Sequence, residues 1–565
     1  MPFPAMSLAA IEQRLTAPGQ PFEVREETIR GVPTRVWAAI PPTFRDLYAT
    51  ARAHGDRPFL ILEDERVTYA AWAKATARLA GWLVANGVGP GDRVALVTRN
   101  LPEWPAAFFA AACVGAIVVP LNAWWTGAEL AYGLEDSGAT VLIADGERWE
   151  RIAPSAAPGT VLVARGGADL RGATRLEDVI GQPNEWADLP DTALPPAELC
   201  PDDDATVFYT SGTTGHPKGA VGSHRAMLTN IGSTGWAGVR AALRRGEEPP
   251  APAPKVLLVV IPLFHVTACS ATLMGAMVGG HTLVFMRRWE PVEAFGLIER
   301  ERVNLTGGVP TIAWQLLEHP ERERFDLSSL EVVSYGGAPA APELARQLHA
   351  VFGVAPGNGW GMTETTATVT SHSGEDYLNR PESAGPPVPV AELQIRDADG
   401  ATVLLPGTVG ELWAKGPQVV RGYWNKPEAT SATFVDGWVR TGDLARLDEE
   451  GFLFIVDRAK DMIIRGGENI YCVEVENALF DHPAVTDAAL IGLPHRTLGE
   501  EPAAVVHLAP GSFATAEELR GWVAERLAGF KVPTRVVFSD ATLPRNANGK
   551  ILKGELKGLF EEVEA

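Results

Sequence analysis

Hydrophobic and polar positions along this chain follow two textures. From Pro42 onward, runs with helical spacing alternate with short apolar runs. Phe44, Leu47, Tyr48 and Ala51 share one helical face, and Pro58–Leu62 reads as a strand. Thr68 is placed to cap a helix whose apolar stripe is Trp72, Ala75, Leu79 and Leu83, and Asn86-Gly87 ends it. Val94–Val97, Ile117–Val119 and Val141–Ala144 follow as strands with helical stretches between them. The most apolar run, Pro105–Leu121, is short, bounded by prolines and interrupted by Gly115, so it predicts a buried helix running into a core strand and not a membrane span. Residues 146–204 are polar, proline-rich and weakly patterned, and read as a connection. Thr206–Tyr209, Val256–Ile261, His281–Met286, Leu305–Gly308 and Glu331–Tyr335 then read as strands. Thr229–Arg245, Ala268–Val278, Pro291–Arg302, Thr311–His319 and Pro342–Phe352 read as helices, with Glu247–Pro254 a surface loop.

Around Val388 the texture changes to short alternating runs with turns such as Asp399-Gly400 and Glu450-Gly451, as expected of an antiparallel sheet or small barrel. That sheet reaches to about Val456, a mixed α/β segment follows after Asp457 to Ala565, and residues 1–41 predict little. The expected fold is α/β. A large N-terminal domain (1–457) would hold two β/α sheet lobes, about 42–200 and 201–385, plus a small β-barrel at about 386–457. A small, mobile α+β C-terminal domain (458–565) would follow.

Composition narrows the function classes. The 565 residues carry a formal charge of -21, with 46% hydrophobic and 21% charged residues, which is a globular balance and a poor match to nucleic-acid binding. The four cysteines form no C-x-x-C pair, which argues against zinc and redox motifs and fits a reduced, cytoplasmic setting. The first residues lack the basic and apolar regions of a secretory signal.

Four stretches can carry chemistry. Tyr209–His224, YTSGTTGHPKGAVGSH, combines Thr210, Ser211, Gly212, Thr213, Thr214 and Gly215 with Lys218 directly after a strand. Backbone N–H groups, hydroxyls and one ammonium suit phosphate oxygens. The Lys218-Gly219 order is not that of a Walker loop, and a flexible turn-rich loop is the plainer alternative. Asn358–Thr366, NGWGMTETT, offers Trp360 as a flat face beside Gly361, Thr363 as a hydroxyl for a phosphate, and Glu364 as an oxygen ligand for Mg²⁺; a helix N-terminus would use the same residues as caps. Asp443 follows Gly442 and could accept from two ribose hydroxyls, or merely from its own turn. Arg458 is a candidate second contact to ribose or phosphate. Near the end, Asn548-Gly549 forms a turn that would project Lys550.

Together, in this order and rough separation, these segments resemble the ANL superfamily: acyl-CoA synthetases, nonribosomal adenylation domains and beetle luciferases. The resemblance covers nearly the whole chain. It implies ATP, Mg²⁺ and coenzyme A as co-substrates and cofactor, and a small-molecule carboxylic acid as substrate. It implies that the 210–215 loop and Lys218 hold phosphates, that Trp360 faces adenine, and that Gly337, Ala338 and Gly361 border the nucleotide. Thr363 would meet the α-phosphate, Glu364 the Mg²⁺, Asp443 and Arg458 the ribose. Lys550 would be the adenylation lysine, Lys460 the hinge, and Arg465, Gly466 and Gly467 would face a coenzyme A tunnel after the small domain rotates. Trp360 departs from the family's usual tyrosine.

For the acid, the resemblance points to Pro262–Ser270 with His265 and Val266, to Gly307 and Gly308, and to Gly336. His265 is either a gate at the carboxylate or a satisfied core histidine. Val266–Ser270 contains no acid to hold an amino group, so an apolar or aryl carboxylate is expected. Gly307, Gly308, Gly336 and Gly337 suggest a deep slot and a medium or long acyl chain, unless they only shape strand ends; a hydroxycinnamate-like acid and a carrier-protein acceptor stay open, as does a homodimer.

Overall fold

The computed structural model describes residues 3–210, 216–249, 251–336, 342–466, 468–509, 511–545 and 550–561. Two large sheets organise the first four hundred residues. The first has seven strands, in the order Gly219–Ser223, Asp204–Tyr209, Ile117–Pro120, Arg93–Val97, Val141–Asp145, Thr160–Ala164 and Thr174–Arg175. The second has eight: Thr370–Ser373, Ala355–Trp360, Val332–Tyr335, Leu305–Gly308, Val256–Val259, Thr282–Phe285, Pro58–Leu62 and Glu65–Thr68. Their inner strands are parallel and apolar on both faces, as helices covering each side require.

The sheets interleave along the chain and do not divide at residue 200. Pro58–Leu62 pairs with Thr282–Phe285 of the second sheet, and Asp204–Tyr209 pairs with Ile117–Pro120 of the first. Nor is 146–204 a plain connection. Thr160–Ala164 extends the first sheet, and Trp186 is fully buried. That strand is only five residues long and lies between Pro158-Gly159 and Arg165-Gly166-Gly167, so its periodicity is too brief to stand out.

Where caps and stripes are explicit, elements form as their residues dictate. Thr68 accepts a hydrogen bond from the Ala71 N–H and starts the helix Tyr69–Ala85. Ser223 caps the 22-residue helix His224–Arg245, which therefore begins one turn and a half before the expected Thr229. Pro105–Leu121 is a buried helix, Glu103–Ala112, leading into a core strand. Among the described residues, no helix is long and apolar enough to cross a membrane. Residues 3–41 supply a short helix, Leu8–Leu15, and a hairpin, Val24–Ile29 with Val32–Trp37. Phe22 and Trp37 of this region pack on Trp236 of the long helix.

A five-stranded antiparallel sheet follows, containing Glu392–Arg396, Gly410–Lys415, Phe434–Val435, Trp438–Leu447 and Leu453–Arg458. The C-terminal part is a separate five-stranded sheet with its own apolar core around Val475, Leu479, Leu490, Val506 and Leu519.

Candidate active site

The hairpin Asp204–Tyr209/Gly219–Ser223 presents the glycine-rich loop at the edge of the first sheet. The Thr210 N–H donates to the Lys218 carbonyl at 2.9 Å, and the Lys218 N–H to Thr210 Oγ1 at 3.3 Å, so the loop is pinched at its base. A side chain at Gly219 would come within 2.5 Å of Val207, which explains the glycine after Lys218. Ser211, Gly212, Thr213, Thr214 and Gly215 lie outside the described residues. Lys218 Nζ sits 4.4 Å from the ring centroid of Tyr423, a residue the sequence reading did not single out.

The second cluster is built on the edge-directed strand Ala355–Trp360. A Cβ at Gly361 would stand 1.4 Å from the Ala367 carbonyl oxygen, so only glycine lets the chain fold back here. The short turn Thr363–Thr365 follows, and Thr366 and Ala367 both take positive φ, 43° and 91°. That strained backbone is held from outside. Buried Asn230 donates to the Thr366 carbonyl and to Ser270 Oγ, each at 2.6 Å, and accepts from the Thr368 N–H at 2.9 Å. Glu364 is buried, and its Oε1 accepts from the Tyr423 hydroxyl at 2.7 Å. Burial pushes the Glu364 carboxyl up, against the Tyr423 hydrogen bond and the nearby charges of Arg458 and Lys218.

Asp443 and Arg458 face each other across paired strands. Arg458 Nε lies 2.8 Å from Asp443 Oδ1, and the Trp360 indole N–H donates to Asp443 Oδ2 at 2.9 Å. Trp360, the candidate base contact, and Asp443, the candidate ribose contact, are thus joined by a charge-assisted hydrogen bond.

The described residues on either side of the Asn548-Gly549 stretch pair with each other, next to Lys550; that turn itself lies outside the described residues. Arg545 bridges Ile551, the Leu552 N–H donates to the Pro544 carbonyl at 2.8 Å, and Arg545 is anchored on buried Asp487 at 2.6 Å. Burial pushes the Lys550 ammonium down to about 8; Arg458 and Lys460 act in the same direction, Asp461 and Asp443 against it. The small-domain lysine therefore lies within electrostatic reach of the Asp443–Arg458 pair.

A cavity of about 860 Å³ runs between the large and small domains. Thr210, His265, Val266, Thr363, Lys460 and Lys550 all line it. His265 and Val266 immediately precede a π-helical stretch, Thr267–Leu273, where an α-helix was expected; such wide turns are frequent at functional sites. Arg465 and Gly466 do not line this cavity. Gly466, at φ 62°, turns the hairpin that follows Ile463–Arg465 and donates its N–H to the Leu498 carbonyl at 2.8 Å. Gly467, Gly337 and Ala338 lie outside the described residues.

The slot expected at the glycines is not opened by Gly307 or Gly308. A Cβ on Gly307 would meet the Ser334 carbonyl oxygen at 2.2 Å, and one on Gly308 would meet Ile312 at 2.9 Å, so neighbours already fill that room. Among the described glycines of that set, Gly336 has space, with the Gly359 oxygen 3.6 Å away.

The donor set suits a metal shared with phosphates. Among the described residues no group of three or more His, Cys, Asp or Glu is arranged to hold an ion by itself. A lone buried carboxylate, Glu364, is what Mg²⁺ requires when phosphate oxygens and water complete its shell.

The family model described as AMP-binding enzyme matches residues 47–424, and that described as AMP-binding enzyme C-terminal domain matches residues 474–550. A feruloyl-CoA synthase of an Amycolatopsis species is 38% identical, over 91% of this chain and 96% of that protein. The long-chain-fatty-acid–CoA ligase FadD13 of Mycobacterium tuberculosis is 36% identical, over 87% and 93%. Among solved structures, o-succinylbenzoate coenzyme A synthetase of Bacillus subtilis with ATP and magnesium superposes with a TM-score of 0.74 at 32% identity, covering 90% of this chain and 98% of that one.

Proposed function

The chain belongs to the AMP-binding enzyme family and is an AMP-forming acid–thiol ligase, and from that premise we propose that it activates an apolar carboxylic acid lacking an amino group and transfers it to coenzyme A. The observation that carries this reading is the shared cavity. It gathers His265, Thr363, Lys460 and Lys550 from two domains around one reaction volume.

In the first step the substrate carboxylate attacks the α-phosphorus of ATP and the bond to pyrophosphate breaks. Charge grows on the phosphoryl oxygens, so preorganised donors lower the barrier most. Lys218 and the loop N–H groups meet the β- and γ-phosphates, Thr363 the α-phosphate, and Lys550 bridges the phosphate and the incoming carboxylate. Glu364 would hold a Mg²⁺ ion, which would supply positive charge against the charge growing on the leaving pyrophosphate. Asp443 orients the ribose, with Arg458 and Trp360 fixing its carboxylate. In the second step the coenzyme A sulfur attacks the acyl carbon and AMP leaves. Rotation about Lys460 would withdraw Lys550 and bring Arg465, Gly466 and Gly467 to the thiol's path.

For the acid, the filled room at Gly307 and Gly308 takes those two glycines out of the argument for a long slot, and the similarity to feruloyl-CoA synthase favours a compact aryl acid, hydroxycinnamate-like in shape. A medium or long fatty acid is the second reading, supported by the similarity to FadD13. Incubation with Mg-ATP and a mixed panel of aryl and fatty acids, with and without coenzyme A, followed by mass spectrometry, decides. Aryl-CoA products alone are expected. Fatty acyl-CoA products would favour the second reading, and adenylates that never reach coenzyme A would point to a carrier-protein acceptor.

A further inference from the structure

Tyr423 belongs to none of the stretches that announce chemistry, yet two of the site's charged groups meet on it. Its hydroxyl donates to Glu364 Oε1 at 2.7 Å, and the ammonium of Lys218 rests 4.4 Å from its ring centroid. The segment that carries it is fastened to both partners' backbones. On one side the Val221 N–H donates to the Gly422 carbonyl at 3.0 Å, the Arg421 N–H to Val221 at 3.1 Å, and the Trp424 N–H to Gly219 at 2.7 Å, directly beside Lys218. On the other, the Val420 N–H donates to the Glu364 carbonyl at 3.0 Å. The ring cannot swing away, because Phe434 packs edge-on at 5.5 Å and the Tyr423 N–H is bound to Thr430 Oγ1 at 2.9 Å.

We infer that Tyr423 is a positioning residue that holds the Glu364 carboxylate and the Lys218 ammonium in one fixed arrangement, so that a divalent cation and the polyphosphate of one nucleotide are met together. The two arms of the side chain act separately. The hydroxyl fixes the carboxylate's rotamer through a charge-assisted hydrogen bond. The ring face holds the ammonium through a cation–π contact. The inference rests on the reading of Glu364 as the metal contact and Lys218 as a phosphate contact.

Calorimetric titration of the full chain with ATP, once in Mg²⁺ and once in EDTA, separates the arms. The ratio of the two dissociation constants is the gain that Mg²⁺ confers. Tyr423→Phe is expected to cut that gain roughly threefold to tenfold while leaving the EDTA value unchanged. Tyr423→Leu should also weaken binding in EDTA, because Lys218 loses its ring, and Phe at this position restores that part. Glu364→Gln serves as the reference and should abolish the gain. If Glu364→Gln loses the gain and Tyr423→Phe keeps it in full, the positioning role is overturned while the metal reading stands. If Glu364→Gln itself keeps the gain, the metal reading fails and the inference with it. Tyr423→Phe removes one oxygen from a folded core, and an unchanged melting curve verifies that its effect is local.

Discussion

The Trp360–Asp443 contact gives a prediction that separates base stacking from ribose recognition. In Trp360→Phe a flat aromatic face remains, but the indole N–H that donates to Asp443 Oδ2 at 2.9 Å is gone. Asp443 is buried and keeps its ion pair with Arg458, at 2.8 Å. A hydrogen bond to a charged group contributes about 1.5–3 kcal/mol. Since Arg458 still restrains the carboxylate, the lower end applies, about 1.5 kcal/mol, or roughly tenfold in nucleotide affinity. Phenylalanine also stacks over less area, and that loss falls on any adenine nucleotide alike. The informative quantity is therefore the ratio of affinities for ATP and 2′,3′-dideoxy-ATP, measured calorimetrically. The wild-type protein should prefer ATP, and in Trp360→Phe the preference should shrink by most of the tenfold factor. If both nucleotides weaken by the same factor, the indole acts through stacking alone and the coupling to Asp443 is wrong. If the wild-type protein shows no preference, Asp443 is not the ribose contact.

Lys550→Ala should abolish adenylate formation while leaving ATP binding nearly intact, read by ATP–pyrophosphate exchange and calorimetry; exchange at the wild-type rate would remove Lys550 from the mechanism. Because burial holds its ammonium near 8, the protonated form that meets phosphate is lost as pH rises through that value. The kcat/KM of the adenylation step should fall on that alkaline side, and Lys550→Arg, always charged, should lack this limb while adenylating more slowly. Gly361→Ala places a methyl 1.4 Å from the Ala367 oxygen, so the Thr363–Thr365 turn must shift. A stability loss of about 1–3 kcal/mol by denaturant titration, with a larger fall in adenylate formation, is expected, and wild-type values for both would refute the close-approach argument.

What the sequence determined by itself was everything written in consecutive residues. The β–α alternation, the Thr68 cap, the buried Pro105–Leu121 run and the change of texture near Val388 are local patterns, and the structure contains each of them. Several residues singled out from local motifs, Thr210, His265, Thr363, Lys460 and Lys550, line one cavity in the structure. The tertiary structure alone decided what meets across distance. Tyr423 reaches Glu364 over 59 residues, and Trp360 reaches Asp443 over 83. Neither partner's neighbours carry any mark of the other, since a hydrogen bond between two packed elements is fixed by how sheets and loops dock. The same holds for Gly307 and Gly308. As letters they admit either an open slot or a tight strand approach, and only the position of Ser334 and Ile312 closes the first option. The interleaved sheets are the largest such case. Pro58–Leu62 has the composition of any buried parallel strand, and which sheet it completes depends on the whole packed arrangement, not on its own residues.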